Sequence, residues 1–120
     1  MPLLVIRVNR LSAVFWDVDG TLADTEMDGH RPAFNSAFKE LNLPFDWDET
    51  LYNRLLAIPG GLRRVKLHAE HCGIELSHDQ LMQVRDRKRV HYLERVRQGH
   101  VRLRPGVRRL LAELNSAGVQ

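Results

Sequence analysis

Ala13-Val14-Phe15-Trp16-Asp17-Val18-Asp19-Gly20-Thr21-Leu22 is the stretch on which the fold class turns. Four consecutive apolar residues bounded by a turn signal predict a buried strand, and strands of open α/β sheets present ligand groups at their carboxyl ends. Asp17 and Asp19 then stand as paired carboxylates at a strand end, with Gly20 letting the chain turn sharply. That arrangement marks a candidate phosphoryl-transfer site. The plain alternative for such a D-x-D-G stretch is a solvent-exposed Asx turn. A calcium loop starting at Asp17 fails, because Leu22 stands where the obligatory glycine belongs and Asp28 where a bidentate glutamate belongs.

Downstream the pattern turns helical. Phe34, Ala37, Phe38 and Leu41 fall at i, i+3, i+4 and i+7 and predict a helix over about residues 28–41, closed by Pro44. Asp46 or Asp48 can cap a second helix through Leu51, Leu55 and Leu56, which Gly60-Gly61 breaks. A third, over about residues 62–71, ends at Gly73. Ser77 and Gln80 have capping-box spacing and open the longest helix, with Leu81, Val84, Tyr92 and Val96 as inward candidates and Gly99 as its end. Pro105 suits a first helical turn, and Val107, Leu110, Leu111 and Leu114 make an apolar face before Gly118. With one strand at residues 13–16, a further strand candidate at residues 3–8 and about five helices, the chain supplies no neighbours on both sides of a buried parallel strand.

The 120 residues allow one ordinary domain, and 43% hydrophobic with 28% charged residues is a globular composition. No apolar run approaches the roughly 20 residues a membrane span needs, and residues 1–10 reverse the charge order of a signal peptide. One cysteine, Cys72, excludes an intrachain disulfide and suits a reducing compartment, so a cytoplasmic location is expected. The net charge of +3 is uneven: ten cations, from Arg85 to Arg109, crowd the last third. They read either as an anion-attracting patch or as a solvated helix face.

Residues 14–26, Val-Phe-Trp-Asp-Val-Asp-Gly-Thr-Leu-Ala-Asp-Thr-Glu, resemble the first motif of the haloacid dehalogenase-like (HAD) hydrolases. Asp28-Gly29-His30-Arg31, Ala33-Phe34-Asn35, the loop Pro59-Gly60-Gly61 and Leu103-Arg104-Pro105-Gly106-Val107 are similar to the CbbY-like sugar-phosphate phosphatase branch, near the phosphoglycolate phosphatases. The resemblance covers about residues 13–119. It implies an α/β fold, a Rossmann-like core with a helical cap, of which this mostly α chain holds the first core strand, the cap and one core helix. Residues 1–25 would be the start of the core with the catalytic aspartate loop, 26–99 the helical cap, and 100–120 a return to the core, truncated before its second strand. The family's later Ser or Thr, Lys and acidic pair are not written here, which predicts an impaired catalyst.

The resemblance makes Asp17 the nucleophile, Asp19 the general acid and then base, and Mg²⁺ the cofactor, held by Asp17 and by the Asp19 backbone carbonyl. Its substrate-binding candidates are Thr21, Glu26, His30, Arg64 and Lys88, each with a blander reading as turn hydroxyl or helix-surface charge. Leu62 departs from the branch, which usually has Lys there. The implied partner is a small phosphorylated metabolite, with no nucleic acid or membrane, and self-association through exposed core surface is a further expectation. His68, His71 and Cys72 lack a fourth ligand for zinc. Met27, Met82, Phe34, Phe38, Trp47 and Tyr92 read as packing. Two other classes compete with a hydrolase: a non-catalytic helical module that binds a partner, and a basic nucleic-acid binder, for which no recognisable motif exists.

Overall fold

Five α-helices carry the structure, a computed structural model that describes residues 10–120. A single π-helical turn, Glu26–His30, leads into α1 (Arg31–Glu40), followed by α2 (Glu49–Leu55), α3 (Gly61–His71), α4 (His78–Arg97) and α5 (Val107–Ser116). The boundaries follow local chemistry. Asp48 caps α2 by accepting from the Leu51 amide at 2.7 Å. Ser77 and Gln80 complete their reciprocal capping box at the start of α4. Gly73 and Gly99 leave α3 and α4 at positive φ, where a side chain would be strained.

α1 packs along α4, with α3 against α4 and the π-turn against both α1 and α4. The core is aromatic: Trp47 lies 4.8 Å from the Phe38 ring and 5.0 Å from that of Phe34, and Phe45 meets Phe38 edge-on. Trp47 has no helical partner for its backbone, and Asn35 replaces one. The Asn35 amide accepts from the Trp47 N–H at 2.8 Å and donates to its carbonyl at 2.9 Å. Met27 and Met82 pack at the edge of this core, as expected.

Several expectations need correcting. Among the described residues no strand forms, and residues 13–16 are mostly exposed rather than buried. A parallel strand needs partners along both edges, and here pairing is confined to one rung. The Val14 N–H donates to the Gln120 carbonyl at 2.8 Å and the Gln120 N–H to the Ser12 carbonyl at 2.9 Å, a parallel pattern around Ala13. The strand candidate at residues 3–8 lies outside the described residues. Val96 is exposed rather than inward, since at this level α4 meets the π-turn through Arg95, whose Nε donates to the Asp28 carbonyl at 2.7 Å. Pro105 precedes the N-cap Gly106 instead of sitting inside the first turn of α5. Leu110 and Leu111 do present an apolar face, but it is uncovered.

Candidate active site

The loop at residues 17–22 is built on one carbonyl. Val18 C=O accepts from the amides of Thr21 and Leu22 at 3.2 and 3.0 Å, and Gly20, at φ +76°, donates to Ala23 C=O at 2.8 Å. This tight turn leaves Asp17 and Asp19 exposed on its outer side. The Thr21 hydroxyl donates to Asp17 Oδ2 at 2.8 Å. Arg104, from the returning chain, donates through Nη1 to Gly20 C=O at 2.9 Å, and its amide donates to Leu22 C=O at 2.8 Å.

Asp19 reaches toward the helical body. Its Oδ1 accepts from the buried Thr25 hydroxyl at 2.6 Å and lies 3.8 Å from His30 Nε2. His30 Nδ1 sits 2.8 Å from Lys88 Nζ. An ammonium can only donate, so Nδ1 accepts and Nε2 carries the proton of the neutral ring, facing Asp19. Burial first, and the Lys88 charge next, hold His30 below its ordinary pKa, and burial likewise lowers Lys88. The His30 ring stacks on Tyr92 at 4.3 Å, and Lys88 lies over the rings of Phe34 and Tyr92.

Behind this contact opens a cavity of about 240 Å³ that brings Glu26, His30, Arg64 and Lys88 together. Arg64 is not a solvated charge: it is buried, and its Nε and Nη2 donate to the carbonyls of Leu55 and Ile58 at 2.9 and 3.1 Å. Part of its guanidinium therefore holds the loop between α2 and α3, and the rest borders the cavity. Glu26 accepts from the Tyr52 hydroxyl at 2.6 Å. Gly61 packs closely at the wall: a Cβ there would lie 3.0 Å from Phe34 Cζ, so the ring would have to shift to admit it.

Four of the five candidate binding residues thus share one cavity, while Thr21 stays with Asp17 on the loop. Sequence reasoning missed Thr25 and Tyr52, and it read Tyr92 as packing although the ring is half-buried and forms one face of His30's setting. Thr25 stands beside Glu26 in the quoted motif, which was a usable signal. Tyr52 meets Glu26 across 26 positions, and no local pattern announces that pairing. Among the described residues no group of three His, Cys, Asp or Glu is arranged to hold a metal ion. The His68 ring packs edge-on against Phe45 and Trp47, with Cys72 Sγ 3.6 Å from its Nε2.

The family model of the haloacid dehalogenase-like hydrolases matches residues 11–120, and the chain belongs to that family. Within it the chain is 42% identical over 117 residues to the plasmid-encoded protein CbbY of Cupriavidus necator, covering 91% of this chain and 44% of that protein. It is 36% identical to CbbY of Rhodobacter capsulatus, covering 92% and 48%. The crystal structure of CbbY from Rhodobacter sphaeroides in complex with phosphate superposes with a TM-score of 0.79 at 33% identity, over 92% of this chain and 49% of that one. A mutant of the same protein, crystallised with xylulose-1,5-bisphosphate, matches at 32% identity with the same TM-score and coverage. The chain thus spans about half the length of the curated relatives it matches, and it is the mostly helical part of an α/β fold. Among the described residues no helix is long and apolar enough to cross a membrane.

Proposed function

We propose that these residues supply the aspartate loop and the cap pocket of a Mg²⁺-dependent hydrolase that removes phosphate from a small phosphorylated sugar or acid. In this reading residues 26–99 are the cap, flanked by core residues on both sides. An ionised Asp17 oxygen attacks phosphorus and the P–O bond to the leaving group breaks as the aspartyl-phosphate forms. Asp19, as general acid, gives a proton to the leaving oxygen. Asp19 then takes a proton from the water that attacks phosphorus, which frees Asp17 and inorganic phosphate.

The donors available to a metal are hard oxygens, the Asp17 carboxylate and the Asp19 carbonyl, and these suit Mg²⁺, which keeps several waters and uses one or two carboxylates together with substrate phosphate. When bound, the ion would neutralise charge on the phosphoryl oxygens. Glu26, His30, Arg64 and Lys88 would hold the non-reacting part of the substrate, and Thr21 would steady Asp17. The observation that supports this reading is the contact of Asp19 with Thr25 and with His30, a residue that also borders a cavity together with Lys88 and Arg64. The ligand in the solved CbbY relative, xylulose-1,5-bisphosphate, supports a phosphorylated sugar.

Phosphate release from xylulose 5-phosphate and from p-nitrophenyl phosphate, with and without Mg²⁺, tests the proposal. Activity that needs Mg²⁺ and vanishes in Asp17→Asn supports it, and Asp19→Asn should cost about 10² to 10⁴ in rate. A flat assay on folded protein overturns it in favour of a non-catalytic module. The apolar residues exposed on α5 and on residues 13–18 favour that second reading, and self-association through them is part of it.

A further inference from the structure

We propose that Tyr52 is a positioning residue of the cap pocket: its hydroxyl fixes the Glu26 carboxylate as an acceptor of sugar hydroxyls, so that the pocket selects phosphorylated polyols over phosphates without hydroxyls. The inference rests on the functional reading above and adds a residue and a selection rule to it.

The cavity's polar groups are unbalanced. Lys88 and Arg64 can only donate hydrogen bonds, and His30 turns its N–H side toward Asp19 once Nδ1 is engaged by Lys88. Such donors take phosphate, carboxylate or carbonyl oxygens equally well and give no preference for an alcohol. Glu26 is the acidic side chain of the cavity, and an ionised carboxylate has about four acceptor sites. Tyr52 occupies one of them at 2.6 Å, a short, charge-assisted bond, and leaves the others for ligand hydroxyls.

Tyr52 is suited to hold that carboxylate still. Its side chain is fully buried, with the ring 5.7 Å from Trp47 and beneath the Arg64 guanidinium at 5.5 Å. The hydroxyl therefore projects from a ring that cannot swing. Burial and the Glu26 bond both hold the phenol above its ordinary pKa, so it stays a donor. Glu26 opens the π-turn directly after Thr25, whose hydroxyl bonds Asp19. A hydroxyl seated on Glu26 is thereby placed relative to the acid/base, and a wandering carboxylate would lose both selection and alignment.

A double-mutant cycle read by calorimetric binding tests this, using xylulose 5-phosphate and n-pentyl phosphate as probes in Mg²⁺ buffer. The wild type should prefer the sugar phosphate. Tyr52→Phe should weaken that probe about tenfold and leave n-pentyl phosphate unchanged, as loss of one hydrogen bond to a charged group predicts. In the Glu26→Ala background, where no acceptor remains for its hydroxyl, the same substitution should change nothing further, because Tyr52 acts through Glu26. Equal sugar-phosphate binding by wild type and Tyr52→Phe overturns the inference alone. So does a parallel loss of both probes in a variant whose helical circular dichroism is intact. A wild type that binds neither probe overturns the functional reading, and this inference with it.

Discussion

The chain's two tryptophans meet opposite environments. Trp47 is fully enclosed by Phe34, Phe38 and Tyr52, whereas Trp16 stands 37% exposed beside a Phe15 that is 98% exposed. Both follow from what surrounds them. The helical body, residues 26–98, closes an aromatic core with helices that begin and end within it, leaving Val90, Leu93 and Val96 of α4 outside that core, and even the irregular Trp47 backbone is satisfied by Asn35. The flanking region, residues 10–25 and 100–120, leaves Phe15, Val18 and Leu110 exposed, and its pairing consists of isolated bridges, at Ala13 with Gln120 and at Ala23 with Leu103, that never extend into a strand. Local closure, more than hydrophobic content, separates the two.

The largest expected effect sharpens that contrast. Trp47→Ala should cost about 3–5 kcal/mol, the loss from a closed aromatic core, and Leu110→Ala on α5 should cost under about 0.5 kcal/mol because little burial is lost there. Urea unfolding followed by helical circular dichroism gives both values. Equal costs would mean that α5 is covered in solution, and the contrast would fail.

Gly29→Ala probes where the body meets the flanking region. Gly29 is buried in the π-turn, and a Cβ there would lie 2.7 Å from Tyr92 Cε2 and 3.0 Å from Val101 Cγ2. Overpacking of this kind costs about 1–3 kcal/mol. Because Tyr92 stacks on His30, the variant should also shift the His30 ring resonances in NMR spectra. A neutral substitution with unchanged His30 signals would show that the junction is loose.

The helical body was legible in the sequence for the reason it is stable: its signals are local. The Ser77–Gln80 box, the Asp48 cap, and the glycines at 73 and 99 each act within a turn of their own helix, and all four marked boundaries. The strand at residues 13–16 was misjudged because burial is not local. Val-Phe-Trp reads as interior wherever it occurs, and only partners far along the chain decide the matter. The site divides the same way. Asp17, Asp19 and Glu26 stand in one contiguous motif, whereas the Tyr52 bond to Glu26 and the Lys88 contact with His30, 58 positions apart, are products of packing.

A smaller effect is expected at the start of α4. Ser77→Ala removes the hydroxyl that accepts from the Gln80 amide at 3.2 Å and should cost about 1 kcal/mol. It should lower the melting temperature of the body by about 4 °C. No change would mean that the packing of α4 on α1, rather than its cap, sets where the helix begins.

The smallest effect is a pH dependence, and it belongs to the body. Burial holds His30 and His68 below their ordinary value of 6.5, with Lys88 and His71 adding repulsion to each. The unfolded chain therefore takes up protons near pH 6.5 while the folded chain does not, so unfolding binds protons and stability falls as pH drops through 6.5 toward the depressed folded values. Glu40, held below 4.5 chiefly by its bonds to Arg87 and His91, adds a separate loss at more acid pH. Between about pH 7.5 and about pH 5.5 the melting temperature should fall by about 2–3 °C. His30→Gln should flatten that slope, because the amide keeps an acceptor for Lys88 without a titrating proton, and Leu110→Ala should leave it unaltered. An undiminished slope in His30→Gln would place the acid sensitivity elsewhere and separate the cavity from the stability of the body around it.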